Sequence, residues 1–173
     1  MKRLRLLLAI AGALVLAMPA GGAYAAADRP ISAAASALAP RADGSICYRA
    51  HVQNIGWQDW VCNGSIAGTV GQALRLEALD LRAYGVGYIC VAAHVEGIGW
   101  MNVNCGGDGA VVSVGTTGMS LRLEALTINV AVGTVCANAH VQNIGWQGYH
   151  CGSNVMVGTT GQSLRMEAVS IYV

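Results

Sequence analysis

The stretch His51-Val52-Gln53-Asn54-Ile55-Gly56-Trp57-Gln58 returns unchanged as His140-Val141-Gln142-Asn143-Ile144-Gly145-Trp146-Gln147. Between them stands an altered copy, His94-Val95-Glu96-Gly97-Ile98-Gly99-Trp100-Met101. Each copy lies between two cysteines (Cys47 and Cys62, Cys90 and Cys105, Cys136 and Cys151) that are fifteen positions apart. Each is followed by a Gly-Thr-x-Gly turn and an Arg-x-Glu-Ala run: Arg75 to Ala78, Arg122 to Ala125 and Arg165 to Ala168. The equivalent histidines are 43 and 46 positions apart, so the chain holds three tandem units of about 45 residues. Their bounds fall near 45–84, 85–131 and 132–173.

Working outward, the runs after Gly-Thr-x-Gly alternate with a two-residue period. In the third unit this puts Arg165, Glu167, Val169, Ile171 and Val173 on one face and Leu164, Met166 and Ala168 on the other. Helical periodicity is absent. Three comparable all-β units predict one closed, pseudo-threefold domain over residues 45–173. A β-prism-like arrangement is favoured, with the repeated Trp filling its axis, and a β-trefoil is the alternative. An open array fits less well, because three units without polar caps leave two apolar ends.

The run His-Val-Gln-Asn-Ile-Gly-Trp-Gln followed by Gly-Thr-x-Gly-Gln-x-Leu-Arg-x-Glu-Ala resembles the ChW repeat, the clostridial hydrophobic repeat with a characteristic Trp. The resemblance covers all three units. It implies a binding or adhesion module of the extracellular surface rather than an enzyme. The paired cysteines look like an addition to the family pattern.

An even number of cysteines in an exported chain reads as a disulfide framework, with each pair closed inside its own unit. A zinc cluster would favour C-x₂₋₄-C spacing, which is missing. A bridge across a plain antiparallel hairpin centres a four-residue turn on Gln53 to Gly56. Val52 then faces Trp57, and His51 faces Gln58.

Met1 to Arg5 is a basic n-region, Leu6 to Ala17 an apolar stretch too short for a membrane span, and Ala23-Tyr24-Ala25 a small-x-small cleavage site. Residues 1–25 are therefore expected to be a secretion signal, and the Ala-, Ser- and Pro-rich residues 26–44 a flexible spacer. The chain ends at Val173 in a strand-like run, so no membrane span or wall-sorting tail is expected in the mature form. The expected location is extracellular, with any cell-wall attachment non-covalent. The 173 residues include ten basic and nine acidic side chains, for a net charge of +1, which excludes a basic nucleic-acid platform. The composition, 54% hydrophobic, excludes a disordered acidic chain.

No nucleophile elbow, His-Glu-x-x-His motif or phosphate loop occurs, so no catalytic residue is expected. The repeated Arg and Glu read as partners in structural hydrogen bonds before they read as a ligand site. His51, His94 and His140 would form a metal site only if all three met on the axis; the hairpin geometry points each to its own unit, and neither metal nor cofactor is expected. Trp57, Trp100 and Trp146 fit either sugar stacking or core packing. Trp100 persists where its polar neighbours change, which favours the core. The same comparison makes Gln53, Asn54 and Gln58, with Gln142, Asn143 and Gln147, the better ligand candidates, Trp57 and Trp146 lying beside them. The middle unit, with Glu96, Gly97 and Met101, is then not a competent site. The expected partner is cell-wall or extracellular glycan; the alternative is a surface protein held through Trp60 and Tyr149.

Overall fold

A computed structural model describes residues 44–173; the expected signal peptide and all but the last residue of the expected spacer lie outside them. Each unit supplies five strands. The first has β1 (Ser45–Val52), β2 (Gly56–Trp57), β3 (Val61–Cys62), β4 (Ile66–Gly68) and β5 (Leu76–Tyr84). The second has β6 (Tyr88–Val95), β7 (Gly99–Trp100), β8 (Asn104–Gly107), β9 (Val112–Gly115) and β10 (Leu123–Val130). The third has β11 (Val135–Val141), β12 (Gly145–Trp146), β13 (His150–Gly152), β14 (Asn154–Gly158) and β15 (Met166–Tyr172). No helix occurs among the described residues.

The strands form three separate five-stranded sheets and no barrel, an arrangement that is prism-like. In every sheet the fourth strand of one unit is exchanged. Strand β9 joins β5 of the first unit, β14 joins β10 of the second, and β4 joins β15 of the third. The exchange runs in one direction around the ring and closes it. Every pairing is antiparallel, which short connections permit.

The core is aliphatic. Strand β1 alternates strictly, turning Ile46, Tyr48, Ala50 and Val52 inward. Tryptophan does not fill the axis: Trp57, Trp100 and Trp146 are 39%, 44% and 37% exposed. Their side chains leave from the outward positions of the hairpins, while Val52, Val95 and Val141 take the inward ones.

Two expectations of register are corrected. In the first hairpin His51 is opposite Trp57 and Val52 opposite Gly56, yet Cys47 is opposite Cys62. The return strand therefore carries one extra residue between Trp57 and Val61, and the same bulge recurs before Val91's and Ala137's partners, Asn104 and His150. The turn is correspondingly tighter, Ile55 N–H donating to Val52 C=O at 3.1 Å. The second correction concerns the Arg-x-Glu-Ala run. Glu77, Glu124 and Glu167 each occupy a bulge, opposite no residue of the neighbouring strand. The bulge shifts the alternation by one, so that Met166, Val169 and Ile171 share the core face.

The disulfides Cys47–Cys62, Cys90–Cys105 and Cys136–Cys151 close within their own units. A loop of this size is worth up to about 3 kcal/mol per bridge.

The first and third units are not joined by a loop, and polar contacts latch that junction. Ser170 Oγ donates to Gly64 C=O at 2.6 Å, and Gly64 N–H donates to Ile171 C=O at 2.7 Å. The fully buried Tyr48 hydroxyl donates to Ser65 C=O and accepts from Ile171 N–H at 2.8 Å. The equivalent positions, Val91 and Ala137, are apolar. Tyr48→Phe strands a carbonyl and an N–H at the seam and should cost about 1–3 kcal/mol in urea unfolding. Burial pushes the Tyr48 phenol above its ordinary value of 10.0, so the folded state holds its proton longer than the unfolded chain does. The stabilisation is thus full below about pH 10 and declines as pH rises toward the folded value. The stability gap between the native protein and Tyr48→Phe should shrink over that range; a gap independent of pH would show that burial does not raise the phenol.

Candidate functional site

The hairpin tips are built alike. Asn54, Gly97 and Asn143 have φ of 63°, 72° and 62°, a turn position that takes Asn or Gly for backbone reasons. The change from Asn to Gly in the middle unit thus keeps the turn. Ile55, Ile98 and Ile144 stand about half exposed beside the three Trp side chains.

Behind each indole lies the repeated His, ring edge to ring face, with centroids 5.3, 5.3 and 5.4 Å apart. Behind the His lies the bulged Glu. His51 Nδ1 is 3.1 Å from Glu77 Oε2, His94 Nδ1 3.0 Å from Glu124 Oε2 and His140 Nδ1 3.1 Å from Glu167 Oε2. These contacts are close but outside hydrogen-bond alignment. The other carboxylate oxygen is held by Arg, with Arg75, Arg122 and Arg165 at 2.6, 2.8 and 2.7 Å. The Glu side chains are 7–8% exposed and the Arg side chains about a fifth. The bulge turns the Glu away from the core toward His and Arg, so Arg, Glu, His and Trp form a stack that ends on the exposed indole. In the middle unit Glu96 adds a second carboxylate to Arg122, where the other units have Gln.

Each His faces its own unit. Among the described residues no group of three or more His, Cys, Asp or Glu side chains gathers in a metal-binding cluster.

The amide candidates separate. Gln58 accepts from Gly68 N–H at 2.7 Å and donates to Gly68 C=O at 3.2 Å; Gln147 does the same with Gly158, at 2.8 and 3.2 Å. Both amides brace the exchanged strand, and in the middle unit the half-buried Met101 packs against the core instead. Asn54 and Asn143 are exposed, Gln53 and Gln142 half-buried.

Sequence reasoning named Trp60 and Tyr149 as anchors but missed the polar residues beside them on the outer faces of the sheets. In the first unit Arg49 pairs with Asp80 at 2.8 Å and lies over both Trp57 and Trp60, 4.8 and 5.1 Å from the ring centroids. Arg82 covers Trp60 as well, at 4.4 Å. In the third unit Asn138, Ser170 and the exposed Tyr149 stand in the places of Arg49, Asp80 and Trp60. The signal lay in how the copies differ, two residues after the first Cys and three after the Trp.

Neither the curated proteins nor the solved structures include a match to this chain. The family model described as clostridial hydrophobic W (ChW) matches residues 51–84, 94–131 and 140–173, each match opening on the repeated His. With more than half of its residues matched, in three tandem copies, the chain belongs to the ChW repeat family.

Proposed function

We propose that the protein is an exported, non-catalytic module that binds glycan at the cell surface or in its surroundings. One observation carries this: three indoles, each more than a third exposed, stand at the ends of repeated Arg–Glu–His stacks, Arg49 lying over the one at Trp57. Solvent-exposed apolar rings are costly to keep and are suited to stack on sugar rings, whose axial C–H faces are apolar and whose hydroxyls stay hydrated. The three disulfides support an oxidising compartment. The repeated carboxylates are committed to Arg and His, which supports binding without catalysis.

Retention on purified cell-wall glycan, competed by free sugars, tests the proposal. Replacing Trp57, Trp100 and Trp146 together by Ala should lower retention at least tenfold. Each replacement should cost well below the roughly 3–5 kcal/mol of a fully buried aromatic, because each ring is more than a third exposed. The exposed Ile beside each Trp favours a second reading, in which the partner is a protein. Retention that survives excess sugar and is lost when the bait is treated with protease would select that reading.

A further inference from the structure

The three sheets share one framework but present different outer faces, and the third carries a cleft. There a cleft of about 230 Å³ is lined by Gly64, Ile66, Asn138, Trp146, Tyr149 and Ser170. None of these side chains is charged at neutral pH. Asn138 is only 9% exposed, and its amide oxygen has no hydrogen-bond partner. That oxygen is shielded even from water, so the part of the Asn138 amide offered to a ligand hydroxyl in the cleft wall is its N–H₂ donor. The aromatic side chains Trp146 and Tyr149, the latter braced edge-on by Tyr172 at 5.1 Å, supply apolar faces. The volume is below the roughly 300–1,000 Å³ of pockets for drug-sized ligands and suits a single ring.

The equivalent places in the other units are lined differently. In the first, Arg49 fills the position and covers the Trp57 face, while Ser113 Oγ donates to Asp80 at 2.6 Å. In the second, Ala92, Val103, Thr127 and Met156 offer one hydroxyl and no amide. We infer that the third unit holds the protein's one neutral-sugar subsite, a cleft that takes a single uncharged pyranose ring between Trp146 and Tyr149 with a hydroxyl on the Asn138 amide. This rests on the glycan-binding reading and narrows it from three equivalent tips to one asymmetric cleft.

NMR titration of the full mature chain with neutral methyl hexosides and N-acetylhexosamines, against a hexuronate control, tests it. For at least one neutral sugar, the Trp146 indole and Asn138 side-chain signals should shift together while the Trp57 and Trp100 indoles stay fixed; the hexuronate should move none. The pair N138R/S170D copies the Arg49–Asp80 plug into the third unit and should weaken that sugar at least about tenfold, a loss comparable to one or more hydrogen bonds. Should the pair fail to fold, Asn138→Ala leaves the cleft open without its amide and should show the same direction of loss. Equal shifts at all three indoles, or unchanged affinity in both variants, would overturn the single subsite while glycan retention stands. A protein that is not retained on wall glycan at all would overturn the broader reading, and the subsite with it.

Discussion

Gly158→Ala should cost about 3–5 kcal/mol in urea unfolding, and Gly161→Ala, three residues along the same Gly-Thr-x-Gly turn, only about 1 kcal/mol. Both glycines have positive φ, 91° and 70°, so both substitutions carry the backbone penalty of a Cβ in the left-handed region. Gly161 faces open space. A Cβ on Gly158 would lie 2.7 Å from Ala125 Cα and closer still to the Glu124 carbonyl oxygen, both on the strand of the preceding unit. Backbone on both sides leaves no flexible atom to give way, so β14 must shift off β10. Thr159 N–H would then lose its 2.8 Å bond to Glu124 C=O, and Gln147 would lose its grip on Gly158. The two other exchange glycines, Gly68 and Gly115, meet Ala168 and Ala78 at 2.7 and 2.8 Å and should respond alike. Equal costs for Gly158→Ala and Gly161→Ala would show that the strand exchange contributes little.

The second large effect concerns the buried carboxylate. Glu167→Ala leaves Arg165 and His140 facing a gap, and the loss should be about 3 kcal/mol, near the lower end for breaking a buried ion pair because Arg165 is 21% exposed. Glu124→Ala should cost about 1 kcal/mol less, since Glu96 stays on Arg122. Glu167→Gln keeps the oxygen acceptor and should fall between the native protein and Glu167→Ala. The stack also fixes the indole, so Glu167→Ala should broaden or shift the Trp146 indole resonance and leave Trp57 unmoved. Equal losses for Glu167→Ala and Glu124→Ala would remove the role given to Glu96.

Much of this architecture is legible in the sequence. The threefold repeat, the all-strand character and the disulfide pairs follow from spacing alone, because repeated residues at a fixed period must meet equivalent environments. The Arg–Glu partnership was legible for the same reason: two opposite charges beside core residues in every copy need each other. The family resemblance rested on those same residues, and the match to all three units bears it out.

Other features were set by long-range geometry. Hydrogen bonding between β4 and β15 is the same in kind as pairing inside a unit, so no local pattern says that the Gly-Thr strand leaves its own sheet. The bulges at Glu77, Glu124 and Glu167 break the two-residue period without a residue type that announces it, and they decide which side chains face inward. The outward Trp follows from the one-residue register shift that the extra residue before Val61 imposes. The sequence by itself determined the number of units, their strands and their covalent staples, because those depend on neighbours along the chain. Only the tertiary structure decided which unit completes which sheet, and how each outer face is lined. Those depend on side chains and backbones more than a hundred residues apart, such as Ser170 on Gly64, separated by 106 positions, that meet only when the ring closes.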